Sequence, residues 1–102
     1  MKILAIEHDP PDVTDDQFTS ELLRAEAQRA WELQQTGVIR ELYFRADRHE
    51  AVLMLECADV DEARLVLDTL PLVREGLIGF ELIPLTAYPG FARLFTAPPL
   101  PA

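Results

Sequence analysis

A carboxylate on the apolar side of an amphipathic helix is the first sign of chemistry in this sequence. At about 100° per residue, Glu21, Arg24, Gln28, Glu32 and Gln35 form a polar arc, with Phe18, Leu22, Leu23, Ala30 and Leu33 opposite. Glu26 falls inside the apolar arc, and Arg29 stands at its edge one turn later, close enough to pair with it. A carboxyl group aimed at an interior must be paired or line a cavity, and partial burial raises its pKa toward the range of a general base. Two readings stay open: an ion-paired side chain at the rim of the core, or the wall of a pocket.

A second set lies on the run from Val38 to Arg45. Read as a strand, it puts Glu41, Tyr43 and Arg45 on one face over roughly 14 Å, and Arg40, Leu42 and Phe44 on the other. Carboxylate, phenol and guanidinium together suit a small carboxylate-bearing molecule and a moving proton. The same charges also suit an edge strand that resists misassembly, or a polar ring at a dimer seam. Arg40 is a separate anion clamp that reaches the first set's face only through a bulge. His8, where the first strand ends, is the better placed histidine for acid–base work, and His49 falls in a turn and is expected to be solvated. The acids and histidines show no metal-ligand spacing, so no dedicated metal is expected. The four Gly are scattered and build no phosphate loop.

These residues need a scaffold, and the chain spells one out. Lys2 to Glu7 reads as a strand stopped by His8-Asp9-Pro10-Pro11. Thr14 and Gln17 make a capping box for a helix from about Asp15 to Thr36, closed at Gly37. Val38 to Arg45 and Ala51 to Cys57 are strands joined across Ala46-Asp47-Arg48-His49-Glu50. Asp59 and Glu62 open a second helix that Pro71 ends; Leu72 to Gly76 is connection, and Ile78 to Leu85 is a last strand with Pro84 marking an edge or an end. The order βαββαβ is that of ferredoxin-like α+β folds: a four-stranded antiparallel sheet with two helices on one face. Residues 1–86 form that domain, and 87–102 an arm in which Phe91, Leu94 and Phe95 are apolar anchors ahead of Pro98-Pro99-Leu100-Pro101. The anchors dock either on their own subunit or on a neighbour.

The strands carry apolar side chains at both parities, so a lone subunit would leave an oily sheet face in water, and a homo-oligomer is expected. One domain fits 102 residues, and 49% hydrophobic content excludes disorder over most of the chain. A net charge of −9 opposes nucleic acid and anionic lipid as partners. No stretch approaches the roughly 20 apolar residues of a membrane span. The single Cys57 permits no internal disulfide, which fits the cytoplasm.

Gly37-Val38-Ile39-Arg40-Glu41-Leu42-Tyr43, the upstream spacing Glu26…Ala30…Leu33…Gly37, and Leu70-Pro71-Leu72 after the second helix resemble the muconolactone isomerase-like proteins of the dimeric α+β barrel superfamily. The similarity spans about residues 20 to 90. The resemblance implies a subunit whose sheet joins a partner's into a barrel, a small-molecule pocket between sheet and helices, and proton transfer without a cofactor. Glu26 and Arg40 fall on matching family positions, while Glu41 stands where the isomerase has His. On that basis Glu26 takes or relays a proton, Arg40 neutralises oxyanion charge, His8 or Tyr43 serves as acid, and Arg29 and Glu41 bind substrate. The competing expectation is a non-catalytic binding or assembly module.

Overall fold

The computed structural model describes residues 1–97; the Pro98-Pro99-Leu100-Pro101 tail lies outside the described residues. The elements are β1 (Lys2–His8), a 3-10 turn (Asp15–Gln17), α1 (Ser20–Gln35), β2 (Ile39–Phe44), β3 (Ala51–Glu56), α2 (Val60–Leu67), α3 (Pro71–Arg74), β4 (Gly79–Pro84) and a second 3-10 turn (Gly90–Leu94). The strands form one sheet in the order β2-β3-β1-β4 with every pair antiparallel, so the expected ferredoxin-like architecture is present.

Two boundaries differ from the sequence reading. The helix expected from Asp15 starts at Ser20. The Thr14 N–H donates to Gln17 Oε1 at 2.8 Å, but Phe18 leaves helical geometry and Thr19 caps afresh, its Oγ1 accepting from Leu22 N–H at 3.2 Å. A second competent cap just before the long apolar stripe won over the first. Similarly, α2 ends at Leu67, and Pro71 opens the extra one-turn helix α3 where a connection was expected. Proline's fixed φ and missing N–H suit the first helical position.

At the far end of α1, Gly37 takes φ +84°, which lets its N–H reach the Gln34 carbonyl at 3.1 Å and Val38 N–H reach the Leu33 carbonyl at 3.0 Å. This closes the helix and aims the chain into β2.

Strand pairing decides which side chains meet α1. Ile3, Ala5 and Glu7 of β1 lie on the buried face with Leu55 and Leu53 of β3 and Leu82 and Phe80 of β4. Ala63 and Leu67 of α2, Leu72 of α3 and Leu70 between the two helices close the core over them. On the opposite face, Leu4, Ile6, Val52, Met54 and Ile83 are only half-buried, an apolar surface with no helix over it. Beyond β4, Phe91, Leu94 and Phe95 are exposed; Phe95 is 86% exposed, so it has no seat on its own subunit.

Candidate functional site

Between α1 and the β2 end of the sheet lies a cavity of about 780 Å³. Its inner wall is hydrocarbon: Ile39, Leu53, Leu70, Leu72, Ile78 and Phe80. Its mouth follows from β2 being an edge strand that α1 covers only at Ile39, which leaves Leu23, Leu42 and Phe44 exposed around the opening. The polar groups on the lining are four carboxyls (Glu7, Asp9, Asp15 and Glu26), the His49 imidazole and Tyr43.

Glu26 occupies the position its helical spacing predicts. On α1 the inward stripe runs Leu22, Glu26, Ala30, Leu33, three or four residues, about one turn, apart. Its Oε1 accepts the Leu72 N–H at 2.9 Å. That donor sits in the first turn of α3, where a helix has no carbonyl of its own to offer and Pro71 supplies no N–H. Burial pushes the Glu26 carboxyl above the usual carboxylate range, and the Leu72 bond only partly opposes this. The expected partner is absent: Arg29 turns instead to Thr69, Nε to Oγ1 at 2.9 Å, and to Glu32 at 3.7 Å. Arg29 is drawn off because those groups lie toward solvent, where its charge stays hydrated.

Glu7 is the residue the sequence reading passed over. It is 8% exposed, the sole charged side chain among the described residues to be buried. Its Oε1 accepts the Ala51 N–H at 3.0 Å. Burial, together with the nearby Asp9 and Glu50 carboxylates, pushes its pKa up to about 7, against the pull of the Ala51 bond. The signal was there: Ile3, Ala5 and Glu7 share a parity, so the first strand's buried row ends in an acid. His8, one residue on, points to the other face. It pairs opposite Gly79, and a Cβ on Gly79 would come within 2.5 Å of His8 Cε1, so the glycine makes room for the ring.

The remaining predicted residues divide. Tyr43 touches the edge of the cavity but pairs opposite Val52, on the face turned away from α1, where its hydroxyl donates to Glu41 Oε1 at 3.0 Å; that bond to a carboxylate, and the charge beside it, raise the phenol's pKa. Glu41 itself is off the lining. A register irregularity between Ile39 and Glu41 leaves Arg40 outside the ladder, its guanidinium beside Gly37 and away from the cavity. His49 is exposed, as expected of a turn residue, and from there it stacks on Phe44 with centroids 4.2 Å apart and touches the lining. Its loop is tied by ion pairs from Arg45 to Asp47 at 2.7 Å and from Arg48 to Glu50 at 2.6 Å. The structure therefore brings Glu26 together with Glu7 and His49 on the lining, keeps His8, Arg29, Arg40 and Glu41 apart from them, and turns the Tyr43 hydroxyl to Glu41 on the other face of the sheet.

A four-stranded antiparallel sheet with helices on one face, an acid-lined cavity beneath them and a bare apolar face behind defines a subunit of the dimeric α+β barrel fold. The chain belongs to the muconolactone delta-isomerase family, whose model matches residues 3–90. Among solved structures it is similar to muconolactone isomerase, determined by crystallography at 3.3 Å, with TM-score 0.72 and 22% identity over 87% of this chain and 92% of that one. At that identity the likeness is one of fold. No curated protein matches the sequence.

Proposed function

We propose that this protein is a homo-oligomeric, cytoplasmic enzyme that binds a small carbonyl compound in the α1 cavity and isomerises it by proton transfer, with no cofactor. The observation that carries this reading is the pair of carboxyls, Glu26 on α1 and Glu7 on β1, each with its pKa raised by burial, set into opposite walls of one apolar cavity. Such a pair suits a carbon-to-carbon proton shift. Glu26 as carboxylate takes a proton from a carbon adjacent to the carbonyl. The electron pair moves through the conjugated system, and protonated Glu7 returns a proton to the far carbon, so no oxidant or reductant is consumed. The family to which the chain belongs, named for a lactone isomerase, supports the same class of reaction.

The test is exchange in deuterated water. Unsaturated lactones and enones, muconolactone included, are incubated with the protein and followed by proton NMR. Substrates should take up deuterium at the isomerising carbons. Glu26→Gln, which keeps an oxygen for Leu72 N–H, should slow the exchange about 100-fold or more while leaving the circular dichroism spectrum unchanged. A second reading, a non-catalytic binding module, is favoured by Glu26's hydrogen bond to Leu72, which ties α1 to α3 without any chemistry. Ligand binding with exchange at the uncatalysed rate would select it.

The half-buried face of Leu4, Ile6, Val52, Met54 and Ile83 supports assembly through the sheet. Sedimentation at low micromolar concentration should give a dimer or larger. Met54→Lys should shift the protein to monomer, because an ammonium group buried in an apolar interface has no partner. A wild-type monomer that stays folded would remove the oligomer from this proposal.

A further inference from the structure

We infer that Asp9 is a positioning residue for the reaction proposed above: it passes protons between solvent and Glu7, reloading the buried acid after each turnover. This rests on the isomerase reading and adds the step that lets it cycle. A proton shift that takes from one carboxyl's side and gives from another's leaves both in the wrong state. Glu26 ends protonated and Glu7 ionised, so before the next substrate Glu26 must release a proton and Glu7 must gain one. The sum consumes no proton and no electron, but each transfer needs a route.

Glu7 has little access of its own. It is 8% exposed, and its Oε1 accepts the Ala51 N–H at 3.0 Å, which leaves the other oxygen to carry the proton. Two acids face it, Asp9 and Glu50. Glu50 is held by Arg48 at 2.6 Å and by Arg45 at 3.6 Å, so its carboxylate is already committed. The His49 ring, also on the lining, is stacked on Phe44. Asp9 is different: it lies on the same lining, within hydrogen-bond reach of the Glu7 carboxyl, and is itself exposed. Two carboxyls so close share one proton, the free oxygen of Glu7 donating to Asp9. Water or a buffer acid protonates Asp9, the proton crosses to Glu7, and Glu26 on the opposite wall discharges to solvent once product has left.

The test uses the full chain, isotopically labelled at its carboxyl carbons. In the wild type the Glu7 carboxyl should titrate as one averaged NMR signal. In Asp9→Asn its midpoint should fall by about one pH unit, since a neighbouring acid no longer opposes ionisation, and the signal should broaden or split as proton exchange slows about tenfold. Asp9→Glu should restore both. Isomerisation of cyclohex-3-enone to cyclohex-2-enone gives the kinetic readout, each protein at its own pH optimum. Because reloading follows the chemistry, Asp9→Asn should lower kcat about tenfold, leave kcat/KM and the first turnover unchanged, and recover with added imidazole as proton carrier. A Glu7 signal that keeps its midpoint and width in Asp9→Asn, an unchanged kcat, or a kcat/KM that falls with kcat would overturn the relay and leave the isomerase reading in place. A wild type that neither isomerises this ketone nor exchanges deuterium into any lactone or enone tried above would overturn that reading and the relay with it.

Discussion

Glu7→Gln should make the protein more stable at pH 8 by about 2–3 kcal/mol and flatten its dependence on pH. The glutamate's pKa is about 7 in the fold against 4.5 for the ordinary side chain. Between those values the folded state holds a proton that the unfolded chain has released, so wild-type stability is full below about pH 4.5 and is lost as pH rises through 7. Glu26, raised by burial too, adds in the same direction. Glutamine keeps the acceptor for Ala51 N–H and never ionises. At alkaline pH the variant then escapes the cost of a buried carboxylate with no cation beside it. Urea unfolding at pH 5 and pH 8, at one protein concentration because assembly is linked to stability, should show wild type losing about 2–3 kcal/mol between them and the variant far less. Parallel behaviour of the two proteins would mean that Glu7 is not the group whose burial sets this pH response. The same variant should fail in deuterium exchange, so stability and activity move oppositely, as they do where a site stores strain for its chemistry.

The largest loss of stability should come from Leu55→Ala, at about 3–5 kcal/mol of a total near 5–15. Leu55 is fully buried at the centre of the sheet, opposite Ile3 on one side and Ile39 on the other. Truncation there leaves an enclosed void that β1 and β2 cannot close without breaking register. Leu53, two residues earlier on the same face, already borders the cavity. Leu53→Ala therefore widens an existing space and should cost about 1–2 kcal/mol less than Leu55→Ala. Urea midpoints of the two variants decide this, and equal losses would show that the cavity collapses in solution.

How far the sequence carried can be judged residue by residue. Glu26 was legible because helical periodicity is a local property: the neighbours that bury Leu22 and Leu33 bury everything on that stripe. Glu7 obeyed the strand rule equally well, but the imidazole next to it is the more obvious acid–base group, and in a strand a shift of one residue reverses the face. Arg40 was read as an anion clamp, and its family position made it the group to neutralise oxyanion charge. The register irregularity at Ile39 and Glu41 took it elsewhere, and nothing in its own residues announces such a feature. His49 was read from its polar loop; its stacking on Phe44 depends on how β2 and β3 pair.

By itself the sequence determined the order of elements, the antiparallel sheet, the acid on α1 and the surplus of apolar strand surface, because each follows from periodicity and caps within a few residues. Only the tertiary structure decided that Glu7 and Glu26 share one cavity, and that Leu23, Leu42 and Phe44 ring its mouth. Those facts depend on which strands become neighbours and where each long side chain finds its hydrogen bonds. Such contacts join residues far apart in the chain, and their energies are compared only once the fold has brought them together.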